Sequence, residues 1–568
     1  MMSCRTSAVT RRRSSASILW PVSCLLLSIA CSSEPSAAVQ TRCGDGVAQA
    51  GEKCDDGALN SDTVADACRT DCSLPACGDG VVDRGEQCDR GALNSDTAAD
   101  GCRTDCRLPA CGDGVVDSSE GCDRGAQNSD LTADACRTDC RLPTCGDGVA
   151  DTGEVCDDGN ASDLDNCMVG CRRPRVVSLS VGFYHTCVVF EGGNVRCWGD
   201  GFHGILGFAL PDDQQIGDDE TPAVLHNVDI GGAVVEVSAG QGFTCVRLAA
   251  GNVRCWGFGD YGELGYGNKN NIGDDETPAS AGDVDLGGPA LQIASGDNHT
   301  CALLAGGRVR CWGRGANGQL GYGNTNDIGD DEPPASAGDV DVGGPVAQLT
   351  AGATFTCARL VSGAVRCWGL SIRGMLGYGN KNNIGDDETP AMAGDVNLGG
   401  TAVQVAAGAA HTCALLDTGE VRCWGVAASG ALGYGNENDI GDDEAPASAG
   451  AVDVGGRVIE LSGGTANTCA LLEGGRVRCW GSGASGQNGY ASTQNIGDDE
   501  TPASAGDVDV GGPVVHLDSA ILKTCALLDS GRVRCWGNGG FGALGYGNGE
   551  TIIGDDETPA SAGDVPLF

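Results

Sequence analysis

The chain has 568 residues, of which 94 are glycine and 33 cysteine, with 4% aromatic residues and a formal net charge of −43. Frequent glycine with few aromatics points to many short strands and turns rather than one large core. The acidity excludes nucleic acid as a partner, because holding phosphates requires Lys and Arg to displace counterions, and it disfavours an anionic membrane surface.

Residues 1–30 read as a signal peptide: Arg5, Arg11, Arg12 and Arg13 precede SILWPVSCLLLSIA (17–30), an apolar stretch too short and interrupted to span a bilayer. The end LSIAC resembles a bacterial lipobox, which makes Cys31 the candidate lipidation site and an N-terminal lipid anchor the expected contact with the membrane. Cleavage near Ser36, Ala37 and Ala38 is the alternative, and residues 31–42 form a linker. Export places the protein at the bacterial outer membrane or cell surface, or in secreted form, where disulfides are the default reading of cysteine.

Over 43–174 a unit recurs four times with a 34-residue period. Its cysteines are Cys43, Cys54, Cys68 and Cys72, then Cys77, Cys88, Cys102 and Cys106, then Cys111, Cys122, Cys136 and Cys140, then Cys145, Cys156, Cys167 and Cys171. A unit this small cannot bury a sufficient core, so two bridges per unit are expected; four cysteines allow three pairings, and the sequence leaves them open. The pattern CGDG…E.CDDGN…C…C resembles the myxobacterial disulfide-repeat family, found in secreted and surface proteins. The fourth unit keeps CDDGN at 156–160, whereas Arg90 and Arg124 replace the second aspartate in the middle two.

A different unit fills 175–568. The tryptophans of CWG fall at Trp198, Trp256, Trp312, Trp368, Trp424, Trp480 and Trp536, spaced by 58 once and by 56 thereafter. Seven strand-rich copies of this length predict an all-β fold, a seven-bladed β-propeller with one four-stranded blade per repeat. The motif G..HTCAL…G.V.CWG…G.LG, as in GDNHTCALLAGGRVRCWGRGANGQLGYG (296–323), resembles the regulator of chromosome condensation repeat family. The resemblance spans all seven units and implies the propeller fold; it says less about function, which sits in sites grafted onto folds.

Within each unit, HTCALLDTGEVRCWG (411–425) and its copies read as a hairpin with a three-residue loop, here Asp417, Thr418 and Gly419. Counting outward from that loop sets Cys413 opposite Cys423 at a non-hydrogen-bonded position, with Cα atoms about 4.5 Å apart, within reach of a disulfide. The same counting pairs Cys187 with Cys197, Cys245 with Cys255, Cys301 with Cys311, Cys357 with Cys367, Cys469 with Cys479 and Cys525 with Cys535. Zinc would want closer cysteine pairs or nearby histidines. The position two before the first cysteine reads His185, Phe243, His299, Phe355, His411, Asn467 and Lys523, which no repeated metal site tolerates. GFGDYG (257–262) and GRGANG (313–318) match G-x-G-x-x-G but lack the following helix and later acid of a dinucleotide site.

Two acidic patterns could bind calcium: IGDDE in every blade, for example Asp274, Asp275 and Glu276, and Asn60, Asp62 and Asp66 of the cysteine-rich repeats, echoed by Asn94, Asp96 and Asp100. The alternation of an EF-hand loop is missing, so structural turns are the preferred reading and no cofactor is expected. No catalytic constellation is readable, and no enzyme activity is expected.

The blades differ from one another in the connections between first and second and between third and fourth strands, which share one face. Those connections hold Phe183, Tyr184, Phe202, His203, Phe243, Phe258, Tyr261, Arg314, Phe355, Arg373, Lys523 and Phe541. Aromatics and arginines anchor interfaces, so Tyr184, His203, Phe243, Phe258, Tyr261, Arg314, Phe355, Arg373 and Phe541 are the candidate binding face for a protein or glycan. The expected function is a non-catalytic extracellular or cell-surface binding or scaffold protein. The family resemblance also implies alternatives: a secreted enzyme-inhibitor role, as in a bacterial member that inhibits β-lactamases, and nuclear guanine-nucleotide exchange, which export and acidity disfavour. A polysaccharide-active enzyme or a structural surface-layer role would need, respectively, paired carboxylates at the central channel or a buried aromatic face.

Overall fold

A computed structural model describes residues 42–160, 162, 167–209, 214–549 and 551–568. The segments expected to be a signal peptide, the lipidation site Cys31 and the linker as far as residue 41 lie outside them. The chain forms two compact units, residues up to Asn128 with Thr138–Arg141, and Ser129–Arg137 with Leu142–Phe568.

In the cysteine-rich repeats the disulfides join first to fourth and second to third cysteine. Cys43 bonds Cys72 and Cys54 bonds Cys68; the same pattern gives Cys77–Cys106, Cys88–Cys102, Cys111–Cys140, Cys145–Cys171 and Cys156–Cys167. Cys122 and Cys136 are disulfide-bonded as well. The glycines of CGDG expose successive main-chain N–H groups, and one oxygen of Asp55 accepts from Gly44, Asp45 and Gly46 at 2.9–3.1 Å. Desolvation pushes this carboxyl up, but the N–H groups of Gly57, Gly44 and Asp45 and the Asn60 amide outweigh it and hold it at about 2. Asn60, Asp62 and Asp66 are spent on similar local work: Asn60 on Asp55 and Asp56, Asp62 on Thr70, and Asp66 on Arg84.

An arginine links each of the first three repeats to the next. Arg69 pairs with Asp79 and Asp83, Arg103 with Asp113 and Asp117, and Arg137 with Asp147 and Asp151. The second aspartate is needed only where an arginine precedes it. In the first repeat its place is taken by Gln49, whose amide donates to Asp45 at 2.7 Å. The first repeat thus carries a terminal variant of the motif, as the end units of stacked repeats do.

The remainder is a seven-bladed propeller. Blades 1 to 7 begin at the inner strands Val176–Val181, Val234–Ala239, Ala290–Ser295, Val346–Ala351, Ala402–Ala407, Val458–Gly463 and Val514–Ala520. Each is followed by a middle and an outer strand in antiparallel order, for example His411–Leu416 and Val421–Gly425 in blade 5. The expected fourth strand is reduced. In blades 1 to 6 it is reduced to isolated bridges, Gly425 with Ile440 and Val421 with Val452 in blade 5 for example, and among the described residues a two-residue strand, Ile552–Ile553, forms in blade 7. A glycine at positive φ follows that isoleucine in every blade, Gly441 at φ 96° for one, and turns the chain away from the outer strand.

The blade tryptophans are fully buried between blades. The indole N–H of Trp256 donates to the Ile205 carbonyl of blade 1 at 2.8 Å, and Trp312, Trp480 and Trp536 repeat the contact. The glycine that closes G.LG lies under the next ring: a Cβ on Gly207 would stand 2.9 Å from Trp256 Nε1. Arginines of VRC add a second tie. Arg366 donates to Val342 O and Arg478 to Val454 O, each at 2.6 Å, across to the preceding blade.

The ring closes by the same joints, without strand exchange. Trp198 donates to Ala543 O at 3.1 Å, Arg196 donates to Leu567 O, and the Phe568 ring lies 5.2 Å from that of Phe190. Burial, with Arg173 nearby, lowers Arg196 to about 10. It also donates to Asn227 Oδ1 at 2.9 Å, where five of the other blades supply an aspartate.

Candidate functional site

Seven disulfides lock the hairpins, Cys413–Cys423 among them, with Cα atoms 4.0–4.1 Å apart. This register, Cys413 facing Cys423 and Leu415 facing Val421, aims the first cysteine and the residue two before it toward the same side. Phe243 and Phe355 therefore do not belong to the binding face. Both are 0–1% exposed, packed between blades over Gly240 and Gly352. His185, His299 and His411 occupy the same slot, each with Nε2 against a threonine hydroxyl of the next blade, Thr244, Thr356 and Thr468. Burial lowers all three to about 3–4, so they are neutral. Lys523 fills the slot in blade 7, and its Nζ donates to His185 O at 3.1 Å.

The other face residues remain accessible and form two clusters. In the first, Tyr184 of blade 1 meets Phe541 of blade 7 edge-on at 5.6 Å, with the Phe183 ring tilted against Tyr184 at 4.2 Å. In the second, the Phe202 ring lies 3.7 Å from that of His203, His203 of blade 1 reaches Phe258 at 5.1 Å, Phe258 approaches Tyr261 at 6.5 Å, and Arg314 of blade 3 lies 4.9 Å over the Tyr261 ring. Arg373 of blade 4 is held by Asp439 of blade 5, with Nη2 to Oδ1 at 2.7 Å. Phe202 is 50% exposed, Phe541 44% and Ile372 56%. Ile372 escaped the sequence reading although it occupies the turn that carries Phe202 in blade 1.

Four of these turns hold a side chain at positive φ: His203 at 56°, Arg373 at 59°, Ser429 at 58° and Phe541 at 61°. For bulky residues this is costly backbone, and such outliers gather at functional surfaces. Glycine would fit the turn without strain, yet three of the four carry a large side chain.

The central channel, about 400 Å³, is lined by inner strands. Its wall is sewn from blade to blade: Gln292, Gln348 and Gln404 each donate to and accept from one residue of the next inner strand, Leu349, Val405 and Leu461, at 2.9–3.1 Å. Most polar groups of the wall are engaged in closing the ring. In the IGDDE turns, burial and contact with Asp275 push Glu276 up to about 7, and Glu220 and Glu332 behave alike.

Comparisons with known proteins point one way. The family model described as "Regulator of chromosome condensation (RCC1) repeat" matches 176–205, 234–263, 291–319, 402–430 and 458–487 in one form, and 250–303 and 306–359 in another. The chain is 30% identical over 374 residues to the ultraviolet-B receptor UVR8 of Arabidopsis thaliana, which covers 66% of this chain and 79% of that protein. It is 28% identical over 244 residues to the E3 ubiquitin-protein ligase HERC2 of Homo sapiens, 43% of this chain but 5% of that much longer protein. Among solved structures, yeast RCC1 (Prp20) bound to Kap60 superposes with a TM-score of 0.51 at 16% identity, over 71% of this chain and 88% of that one, a likeness of fold.

Proposed function

Since the chain belongs to the regulator of chromosome condensation (RCC1) repeat family, whose propellers serve protein interaction and scaffolding, we propose that it is a non-catalytic binding module that uses the aromatic face of blades 7, 1, 2 and 3 to hold an extracellular protein or glycan. The observation that carries this reading is the asymmetry of a repetitive ring. The two aromatic clusters fall on neighbouring blades, whereas the equivalent turns of blades 5 and 6 carry Ser429 and Ser485. A partly exposed set of rings beside an arginine is the composition of an interface anchor. Disulfide bonding at every described cysteine supports work in an oxidising compartment, at the cell surface or after secretion, with attachment through Cys31.

The test replaces Phe202 and Phe541 with serine and Arg314 with alanine. Binding to surface extracts of the producing cell is then measured before and after protease treatment, and to a glycan array. Loss of binding with an unchanged melting temperature supports the reading, and protease sensitivity separates protein from glycan. Undiminished binding, or unfolding of the triple variant, would overturn it.

A further inference from the structure

The IGDDE turns lie against the aromatic face. Each abuts the turn that leaves the outer strand of the preceding blade. A Cβ on Gly204, beside His203, would collide with Asp274 N; one on Gly262, beside Tyr261, with Asp330 N; and one on Gly542, beside Phe541, with Asp218 N. Seven such turns bring 21 acidic residues to this side of the ring, and the middle aspartate is exposed in all seven.

The chain itself demonstrates how a cation seats there. Lys269 of blade 2 places Nζ 3.2 Å from Asp330 Oδ2 of blade 3, and Lys381 of blade 4 lies 3.1 Å from Asp442 Oδ2 of blade 5. Both lysines stand three residues before the isoleucine of their own IGDDE turn; the other blades have Asp213, Thr325, Glu437, Thr493 and Glu550 at that position. Asp218 and Asp274 follow two of the blades without the lysine. The paired cations of this face, Lys269, Lys381 and Arg373, go to Asp330, Asp442 and Asp439, and among the described residues neither Asp218 nor Asp274 has one. Asp218 Oδ1 is moreover buried without a hydrogen-bond partner.

These two open seats are the ones that border the most exposed rings: Asp218 adjoins the turn of Phe541, and Asp274 the turn of Phe202 and His203. A cation held between a carboxylate and an aromatic ring gains from both. Arg314 over Tyr261 is an example from the same face. We propose that the face receives a basic polypeptide, with one lysine or arginine of the partner on Asp218 beside Phe541 and another on Asp274 beside Phe202. The inference rests on the aromatic face being the binding surface, and it narrows the ligand to protein. A neutral glycan offers these carboxylates no charge, and an acidic one is repelled by them. Two charge pairs flanking the rings fix the register of the partner as well as its affinity.

Calorimetric titration of the full chain with decalysine at 0.15 M salt, with decaglutamate as control, tests this. Asp218→Asn combined with Asp274→Asn should weaken decalysine binding about tenfold. Asp498→Asn combined with Asp499→Asn removes the same charge beside Ser429, away from both clusters, and should weaken it less than about twofold, through the screened field alone. If the first pair does not fold, Asp219→Asn with Asp275→Asn takes the same charge from exposed positions of the same turns and should give the same ranking. Equal losses from the two sites would mean a diffuse field without seats and would overturn the proposal. So would calcium binding to the parent protein that disappears in the Asp218 and Asp274 variant, which would make the seats ion sites. Surface extracts separate this inference from the reading beneath it. Binding that is lost with Phe202, Phe541 and Arg314 replaced, yet survives both the aspartate variant and excess decalysine, overturns the basic partner alone. Binding that survives the aromatic replacements overturns the face itself.

Discussion

Glu263 offers a quantitative trial of how this propeller tolerates charge between its blades. The residue is 0% exposed; Oε2 accepts from Tyr261 N–H at 2.7 Å, while Oε1 is buried with no partner. Burial first, with Asp260 and Asp327 adding repulsion, raises the carboxyl from 4.5 to about 7. Because the fold holds this proton more tightly than the open chain does, stability is greatest below about 4.5, declines as pH rises toward 7 and is level beyond. At about 1.4 kcal/mol per pKa unit, the ionised residue costs about 3 kcal/mol at pH 8. Blades 3 and 6 do the same job with a neutral side chain: Gln319 and Gln487 each accept a main-chain N–H two residues back at 2.8 Å. Glu263→Gln should therefore match the parent protein near pH 4.5 and exceed it by about 3 kcal/mol at pH 8. Guanidinium unfolding with disulfides intact, followed by tryptophan fluorescence, reads the difference, and effects of other titrating groups cancel between the two proteins. An equal effect at both pH values, or destabilisation at pH 8, would refute the reasoning.

Three other outcomes follow from single joints. Blade 5 has Ala451 where five blades place an aspartate against the VRC arginine, leaving Arg422 Nε and Nη1 buried without partners, so Ala451→Asp should stabilise the protein by about 1–2 kcal/mol in thermal or denaturant melts. Arg103→Ala strands Asp117, which is 3% exposed as a side chain, and should cost about 3–5 kcal/mol locally, seen as faster proteolysis within 95–120 and an unaltered propeller. Phe541→Gly relieves a left-handed phenylalanine and should leave the melting temperature unchanged or raise it by the equivalent of about 1 kcal/mol while weakening partner binding; a marked loss of stability would show that the ring is a packing residue instead.

The blade period was legible in the sequence because each blade repeats one local pattern. Hairpin register was too: a glycine-ended loop and alternation alone set Cys413 across from Cys423. What failed was contact between units. Phe243 and Phe355 look like loop aromatics until alternation is carried back from the buried cysteine, which puts them on the inter-blade side. The fourth strand was overcounted because a single isoleucine pair cannot be told from a strand by repeat length. In the cysteine-rich region the nested pairing and the Arg69 tie to Asp79 and Asp83 depend on how one repeat meets the next, although Gln49, alone among aspartates at its position, marks the first repeat in the sequence itself. On the face, the residue types were readable, but their grouping into two clusters was not, since it depends on which blades are neighbours around a closed ring.

Closure by ordinary joints also bears on how such a chain can change. Each blade is built from one uninterrupted stretch, and the joint at Trp198 and Ala543 is the joint at Trp256 and Ile205. A gene rearranged to begin at any blade would encode the same ring, provided Phe568 were joined to the start of blade 1. Duplicating or deleting a repeat would add or remove a whole wedge without rethreading its neighbours. Seven near-copies differing mainly in a few turns are what such a history leaves behind: a scaffold that can be lengthened by copying and specialised one turn at a time.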